Sequence, residues 1–218
     1  MPLDEDTPAA TGRRDAMRTR LVAAARARMA AQGVAATTMQ QIVADAHTSI
    51  GNCYFYFRDK DALFGAVAAG IAGEIAAEIA AATGTVPEGA AHLAVTTIVG
   101  VRATLARAEE MQRCIADAYA PGIRELFLEN FTRPLPAFLA ARFPAANVPL
   151  AVAAWQGAVL AAEEAAFAGP EPPDVPALGR WLAAWNLQAL GLPEAEVREA
   201  LAAAERFVGE GGENDPAR

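Results

Sequence analysis

Few side chains in this 218-residue chain could do acid–base or metal chemistry. Two histidines, His47 and His92, and two cysteines, Cys53 and Cys114, stand at no metal-ligand spacing. No Ser/His/Asp or Cys/His constellation and no phosphate-cradling glycine loop accompanies them, so neither an enzyme nor a metal or other cofactor is expected. A different chemistry is concentrated in the stretch Ser49-Ile50-Gly51-Asn52-Cys53-Tyr54-Phe55-Tyr56-Phe57. Asn52 can both donate to and accept from the edge of a base, and Ile50 offers an apolar contact for a thymine methyl. Gly51 lets a backbone approach closely, while the amphipathic rings of Tyr54 and Tyr56 suit a groove wall and its phosphates.

Short, well-separated helices must hold these residues. Met17, Leu21, Ala24, Ala25 and Met29 recur at three- and four-residue steps, which predicts a helix from about Asp15 to Gln32 closed by Gly33. Thr37-Thr38-Met39-Gln40 has capping-box spacing, a hydroxyl with Gln three residues later, and opens a second helix running to about Ala46. His47-Thr48-Ser49 forms a turn, Ser49 caps a third helix through Phe57, and Asp59 caps a long fourth helix from near Asp61 to about Gly84. Cys53 and Phe57, four apart, should pack inward with Ile42.

Two short helices on a three-residue turn, with a supporting helix before and a long one after, are the layout of a helix-turn-helix. The stretch Gly33 to Phe64, with Thr37-Thr38, Ile42, Ala46, Ser49, Gly51, Tyr54, Tyr56-Phe57, Lys60 and Leu63-Phe64, closely resembles the DNA-binding domain of TetR-family regulators. That resemblance implies phosphate contacts from Thr38, Tyr54, Phe55 and Lys60 and a base contact from Gln40; contacts of the first kind position the protein, and the second kind selects sequence. With Ser49, Ile50, Gly51, Asn52 and Tyr56 these make up the expected DNA-binding set. Two departures from the family stand out. His47-Thr48 replaces the usual Gly-Val, which asks His47 for a positive φ, and Phe55 lacks the hydroxyl often found there.

Composition agrees with this layout. The chain is 54% apolar with little strand signal, so an all-α fold is expected. Net charge is −8, yet from Arg13 to Phe64 eight basic residues outnumber four acidic ones, giving a basic head on an acidic body. Residues 1–12 and 210–218 read as disordered tails, 13–60 as the helix-turn-helix domain and 61–209 as a larger helical domain for effector binding and dimerisation. The acidic amino terminus does not read as a signal peptide, and Val148 to Ala162 falls short of a bilayer span. Two cysteines make no disulfide framework, and a cytoplasmic protein with no membrane partner is expected.

Further helices are predicted at about 87–107, 109–119, 122–143, 148–168, 174–191 and 194–208, with Pro87 and Pro193 in first turns, Pro134 and Pro136 breaking the third of them, and a loop at Pro170-Glu171-Pro172-Pro173. Cys53 more often reads as a small hydrophobe than as a redox sensor. His92, Arg102, Met111, Cys114, Tyr119, Phe127, Trp155 and Glu163 are the candidate effector contacts, although each alone is more readily core or surface. An unpaired buried carboxylate at Glu163 would want a partner, while exposure of both Glu163 and Glu164 is the simpler reading. Leu160, Phe167, Leu178, Trp181, Leu182 and Trp185 offer more apolar surface than one small body needs and are the candidate dimer seam. The resemblance implies a dimeric regulator, most simply a repressor, that leaves a near-palindromic operator when a small molecule binds, with the long fourth helix as lever. The rival is an interaction protein that keeps the fold without operator binding.

Overall fold

The computed structural model describes residues 8–107, 110, 135–169 and 171–212. Every regular element among them is helical, and the chain is all-α. In order these are α1 (Pro8–Gln32), α2 (Met39–Asp45), α3 (Ile50–Tyr56), α4 (Lys60–Thr83), α5 (Ala90–Ala106), α6 (Leu135–Ala140), a 3₁₀ turn (Ala145–Asn147), α7 (Val148–Ala168), α8 (Val175–Ala189) and α9 (Glu194–Gly212). The described residues form two compact units, 8–71 with Glu110, and 72–107 with 135–212. The division falls inside α4, whereas the sequence reading put it at 60–61.

The first unit is built on a four-residue rhythm. Leu21, Ala25 and Met29 of α1 are fully buried, and they share a core with Ile42, Ala46, Cys53, Leu63 and Ile71. α1 starts at Pro8, within the stretch expected to be a tail, and ends at Gly33, whose φ of 81° places it in the left-handed region. The capping box of α2 is one residue later than Thr37 and Gln40. Thr38 is the N-cap: its hydroxyl accepts from the Gln41 amide at 3.3 Å, and the Gln41 side chain accepts from the Thr38 amide at 2.8 Å. Thr37 is instead buried and donates its hydroxyl to the Gly33 carbonyl at 2.8 Å, closing the loop between α1 and α2.

The α2–α3 turn is a Schellman motif. The Thr48 amide donates to the Val43 carbonyl at 3.0 Å and the His47 amide to Ala44 at 3.2 Å, with His47 at φ 48°. Gly191 closes α8 in the same manner at φ 81°. His47 is the one described residue other than glycine with positive φ, as its place in the turn requires. One residue later Ser49 caps α3, accepting from the Asn52 amide at 3.2 Å, and Asp59 accepts from the Ala62 amide at 2.7 Å at the start of α4. Arg28 of α1 makes a two-pronged ion pair with Asp45 of α2, and the hydrogen-bonded guanidinium holds that carboxyl below its ordinary range.

In the second unit α5 is the central helix, with ten of its 17 residues buried. It packs mainly on α8 and α9, and Gly179 of α8 sits against Ile98, where an added Cβ would meet the Ile98 Cα at 3.4 Å. α5 begins at Ala90, so Pro87 lies before its first turn, and Pro193 precedes α9. Pro149 and Pro176 occupy first turns instead. Arg107, at the end of α5, reaches Glu78 at 2.5 Å and Glu74 at 3.5 Å on α4.

A left-handed histidine stores strain that glycine would not. His47→Gly should raise the free energy of urea unfolding by about 0.5–1 kcal/mol, and His47→Val should lower it; equal stability of the three proteins would mean that the turn is unstrained.

Candidate functional site

Once α3 is capped and its Cys53 face is buried, its other faces point to solvent. Ile50 is 40% exposed, Tyr54 51% and Phe55 66%, a high exposure for side chains this large. Gly51 is exposed and open, with nothing within 4 Å of an added Cβ. Asn52 is half-buried; its amide nitrogen donates to the Thr48 hydroxyl at 2.8 Å, which orients the side chain and leaves Oδ1 and one N–H available to a ligand. Ser49, Thr38 and Gln40 are exposed, and Tyr56 is half-buried with its ring edge-on to Phe55 at 5.1 Å. Lys60 is half-buried, and its ammonium donates to the Val34 carbonyl in the loop before α2.

Two arginines of α1 reach the same surface. The Arg14 guanidinium lies 5.8 Å from the centroid of Phe55, and that of Arg18 lies 5.4 Å from Phe57. The sequence shows Arg14 and Arg18 only as part of a basic stretch; the structure sets both guanidiniums over the aromatic rings at the end of α3. Cys53 is fully buried, and burial pushes its thiol up, away from reactive thiolate.

The candidate effector contacts are dispersed. Met111, Cys114, Tyr119 and Phe127 lie outside the described residues. Arg102 points to solvent. His92 is half-buried, with Nδ1 3.2 Å from the Val86 carbonyl. Trp155 is buried and borders a cleft of about 410 Å³ with Leu150, Trp185 and Asn186.

Glu163 and Glu164 part company. Glu164 is exposed, whereas Glu163 is only 7% exposed and takes a hydrogen bond from Thr104 of α5. Burial pushes the Glu163 carboxyl up to about 8, and the Thr104 bond offsets this only in part. Asn186 and Thr96 were not anticipated. The Asn186 amide and the Thr96 hydroxyl are buried without a hydrogen-bond partner. For Asn186 the signal was present, a polar residue four after the core residue Leu182.

The candidate seam divides as well. Trp181 and Trp185 are 57% and 45% exposed, and Leu160, Phe167 and Leu178 are half-buried. Leu182 is 1% exposed and belongs to the core of the second unit, because one step along α8 turns it about 100° away from the exposed Trp181.

Residues 21–67 match the family described as bacterial regulatory proteins, tetR family. No curated protein matches the chain in sequence. Among solved structures, the chain resembles RolR in complex with the ligand resorcinol, with 22% identity, a TM-score of 0.64, and coverage of 88% of this chain and 95% of that one. It also resembles SmeT, the repressor of the Stenotrophomonas maltophilia multidrug efflux pump SmeDEF (18% identity, TM-score 0.61, 79% and 89% covered). A third likeness is to a tetR-family transcriptional regulator from Streptomyces coelicolor (15% identity, TM-score 0.60, 93% and 92% covered). At such identities the likeness is one of fold.

The position of Glu163 sets a pH dependence. Its folded-state value near 8 lies above its ordinary 4.5, so the folded protein binds the extra proton and stability falls as pH rises between these values, flattening above 8. Glu163→Gln removes that slope. The wild-type protein should lose stability relative to the variant from pH 5 to 8, by at most about 1.4 kcal/mol per pH unit, as read by thermal unfolding; parallel profiles would place the carboxyl in water.

Proposed function

We propose, from the match of residues 21–67 to the tetR family of bacterial regulatory proteins, that this chain binds a near-palindromic operator as a homodimer, represses transcription, and is released by a small-molecule effector. The observation that carries the operator-binding reading is the exposed leading edge of α3, where Ile50, Gly51 and Tyr54 lie open beside an Asn52 oriented by Thr48. In this reading that edge enters the major groove. Asn52 and Ile50 meet bases, with Gln40 reaching a further one. Thr38, Ser49, Tyr54, Phe55, Tyr56 and Lys60 line the groove wall and phosphates. Lys60 is the first residue of α4, so its ammonium and the amides of that helix end would favour the same phosphate. Arg14, over the Phe55 ring, adds charge where the ring has no hydroxyl.

The dimer rests on surface that a lone protomer leaves open. α7 is apolar along most of its length, yet its buried residues are Trp155, Gln156 and Glu163. Its half-buried Leu160 and Phe167, with exposed Leu150, Trp181 and Trp185, form the apolar surface that a second copy would cover by two-fold symmetry. We assign the descent from operator to effector to residues 13–60 for DNA and 61–209 for ligand and dimer contacts. RolR with resorcinol bound and the repressor SmeT support the effector and repressor parts of the reading, as proteins of like fold.

Two measurements test it. In a mobility-shift titration on the DNA upstream of its own gene, the wild-type protein should bind with steep salt dependence. Asn52→Ala should weaken binding about tenfold to a hundredfold and relax base preference at its positions. Lys60→Ala should weaken it evenly across sequences and reduce the salt slope by about 1. A folded protein that binds no DNA at low salt would instead be an interaction protein on the same scaffold. In light scattering, Trp181→Glu combined with Trp185→Glu should convert dimer to monomer; a variant that stays dimeric would move the seam elsewhere.

A further inference from the structure

Glu163 is a charge-capable group in a place that gives it almost nothing to do. Its carboxyl is buried between α7 and α5, and its hydrogen-bond partner among the described residues is the Thr104 hydroxyl. A lone buried carboxyl costs stability, and a Gln or Leu of similar volume would serve the packing better. Among the described residues, no charged side chain on the elements packed against α7 acts on the Glu163 carboxyl. Arg102 of α5 is exposed, and His92 turns to the Val86 carbonyl. Arg107, at the end of α5, is tied to Glu74 and Glu78. Arg142, following α6, is exposed and stacks 3.8 Å from the centroid of Phe138. Arg180 of α8 pairs with Glu205 of α9. On α7 itself the neighbouring Glu164 is exposed and of the same sign.

Burial inside one protomer also keeps Glu163 from a counter-ion on a second copy. An anion would be repelled by the ionised form, and a neutral guest would need only hydrogen bonds that a Gln at this position supplies without an ionisable group. We propose that Glu163 is the counter-ion for the effector, and that this effector is a small organic monocation held against α5 and α7 with Thr104 orienting the carboxylate. The inference rests on the reading that the body binds a small molecule, and it names the class of that molecule. On entry of the cation the carboxyl gives up its proton to solvent and the ion pair forms; one charge enters and one proton leaves, so the interior stays neutral before and after.

The acid–base balance makes this measurable. With the free carboxyl near 8, it is mostly protonated at pH 7 and mostly ionised at pH 9. A cation whose own charge does not titrate should therefore bind about tenfold more tightly at pH 9 than at pH 7. Titration calorimetry with benzyltrimethylammonium and with benzylammonium, against benzyl alcohol as the neutral reference, reads affinity and proton release together. The expected result is preference for at least one cation over the alcohol, with proton release at pH 7, and for benzyltrimethylammonium, if it binds, the rise toward pH 9. Glu163→Gln should cost that cation at least tenfold and abolish its pH dependence, while Glu164→Gln, which removes the same charge from the surface, should change neither. Thermal unfolding and operator mobility shift of the Gln variant serve as the check that it is folded. Binding of neither cation by the wild-type protein, or equal cation binding by Glu163→Gln, overturns the inference. Operator binding by the ligand-free protein is read separately, so a regulator with the wrong effector class and a cation binder that ignores DNA give different outcomes.

Discussion

Everything the first unit offers to a partner depends on one turn holding its shape. Between Val43 and Asn52 the backbone ends one helix and begins another within three residues, and several of the groups orphaned there find partners within the turn itself. Val43 and Ala44 carbonyls accept from Thr48 and His47, and the Asn52 amide is met by Ser49. The same Thr48 then accepts from the Asn52 side chain. A residue that terminates α2 therefore also aims the side chain best suited to read a base. The left-handed conformation of His47 is the local cost, and the buried Ile42, Ala46 and Cys53 on both sides of the turn over-determine it.

One helix of the second unit, α7, departs from the usual rule. α7 turns a tryptophan, a glutamine and a glutamate inward while leaving most of its alanines, valines and leucines half-buried or exposed. Such an arrangement is poor for an isolated protomer, since apolar surface stays wet and polar groups are dried. It becomes favourable once something covers the outside and something polar occupies the inside. One helix would then face two partners, a second copy and an effector, and a change at either surface would be felt at the other through the same rigid rod.

What the sequence made legible follows from where side-chain identity alone decides structure. Leu21, Ala25 and Met29 announced the α1 face, and Ser49 and Asp59 announced their caps, because each acts within one turn of its own position. Thr37 and Thr38 show the limit. Both have a glutamine three residues on, so local chemistry could not choose between registers; burial of Thr37 against the Gly33 carbonyl decided it. Glu163 and Glu164 show the same limit on a longer scale. They differ by one step around a helix whose composition is nearly uniform, and only packing against Thr104 separates the buried acid from the wet one. Leu182 resembles its neighbours Trp181 and Trp185 in the sequence and lies in the core in space, for the same reason.

The electrostatics of the first unit add a constraint on how it could hold DNA. Eight basic residues against four acidic ones suggested a strongly attractive surface, but much of that charge is already engaged. Arg26 meets Glu110, Arg28 meets Asp45, Arg58 meets Asp59, and the Lys60 ammonium is on a backbone carbonyl. Arg14 and Arg18 lie over aromatic faces, where they flank α3. Exposed pairs such as Arg58–Asp59 are weak enough for a phosphate to compete with them, whereas the two-pronged Arg28–Asp45 pair is positioned to brace α1 on α2. Long-range attraction from an acidic protein is therefore modest. On the proposed reading, discrimination would come from short-range contacts along the edge of α3, where Ile50, Tyr54 and Phe55 are exposed beside Asn52.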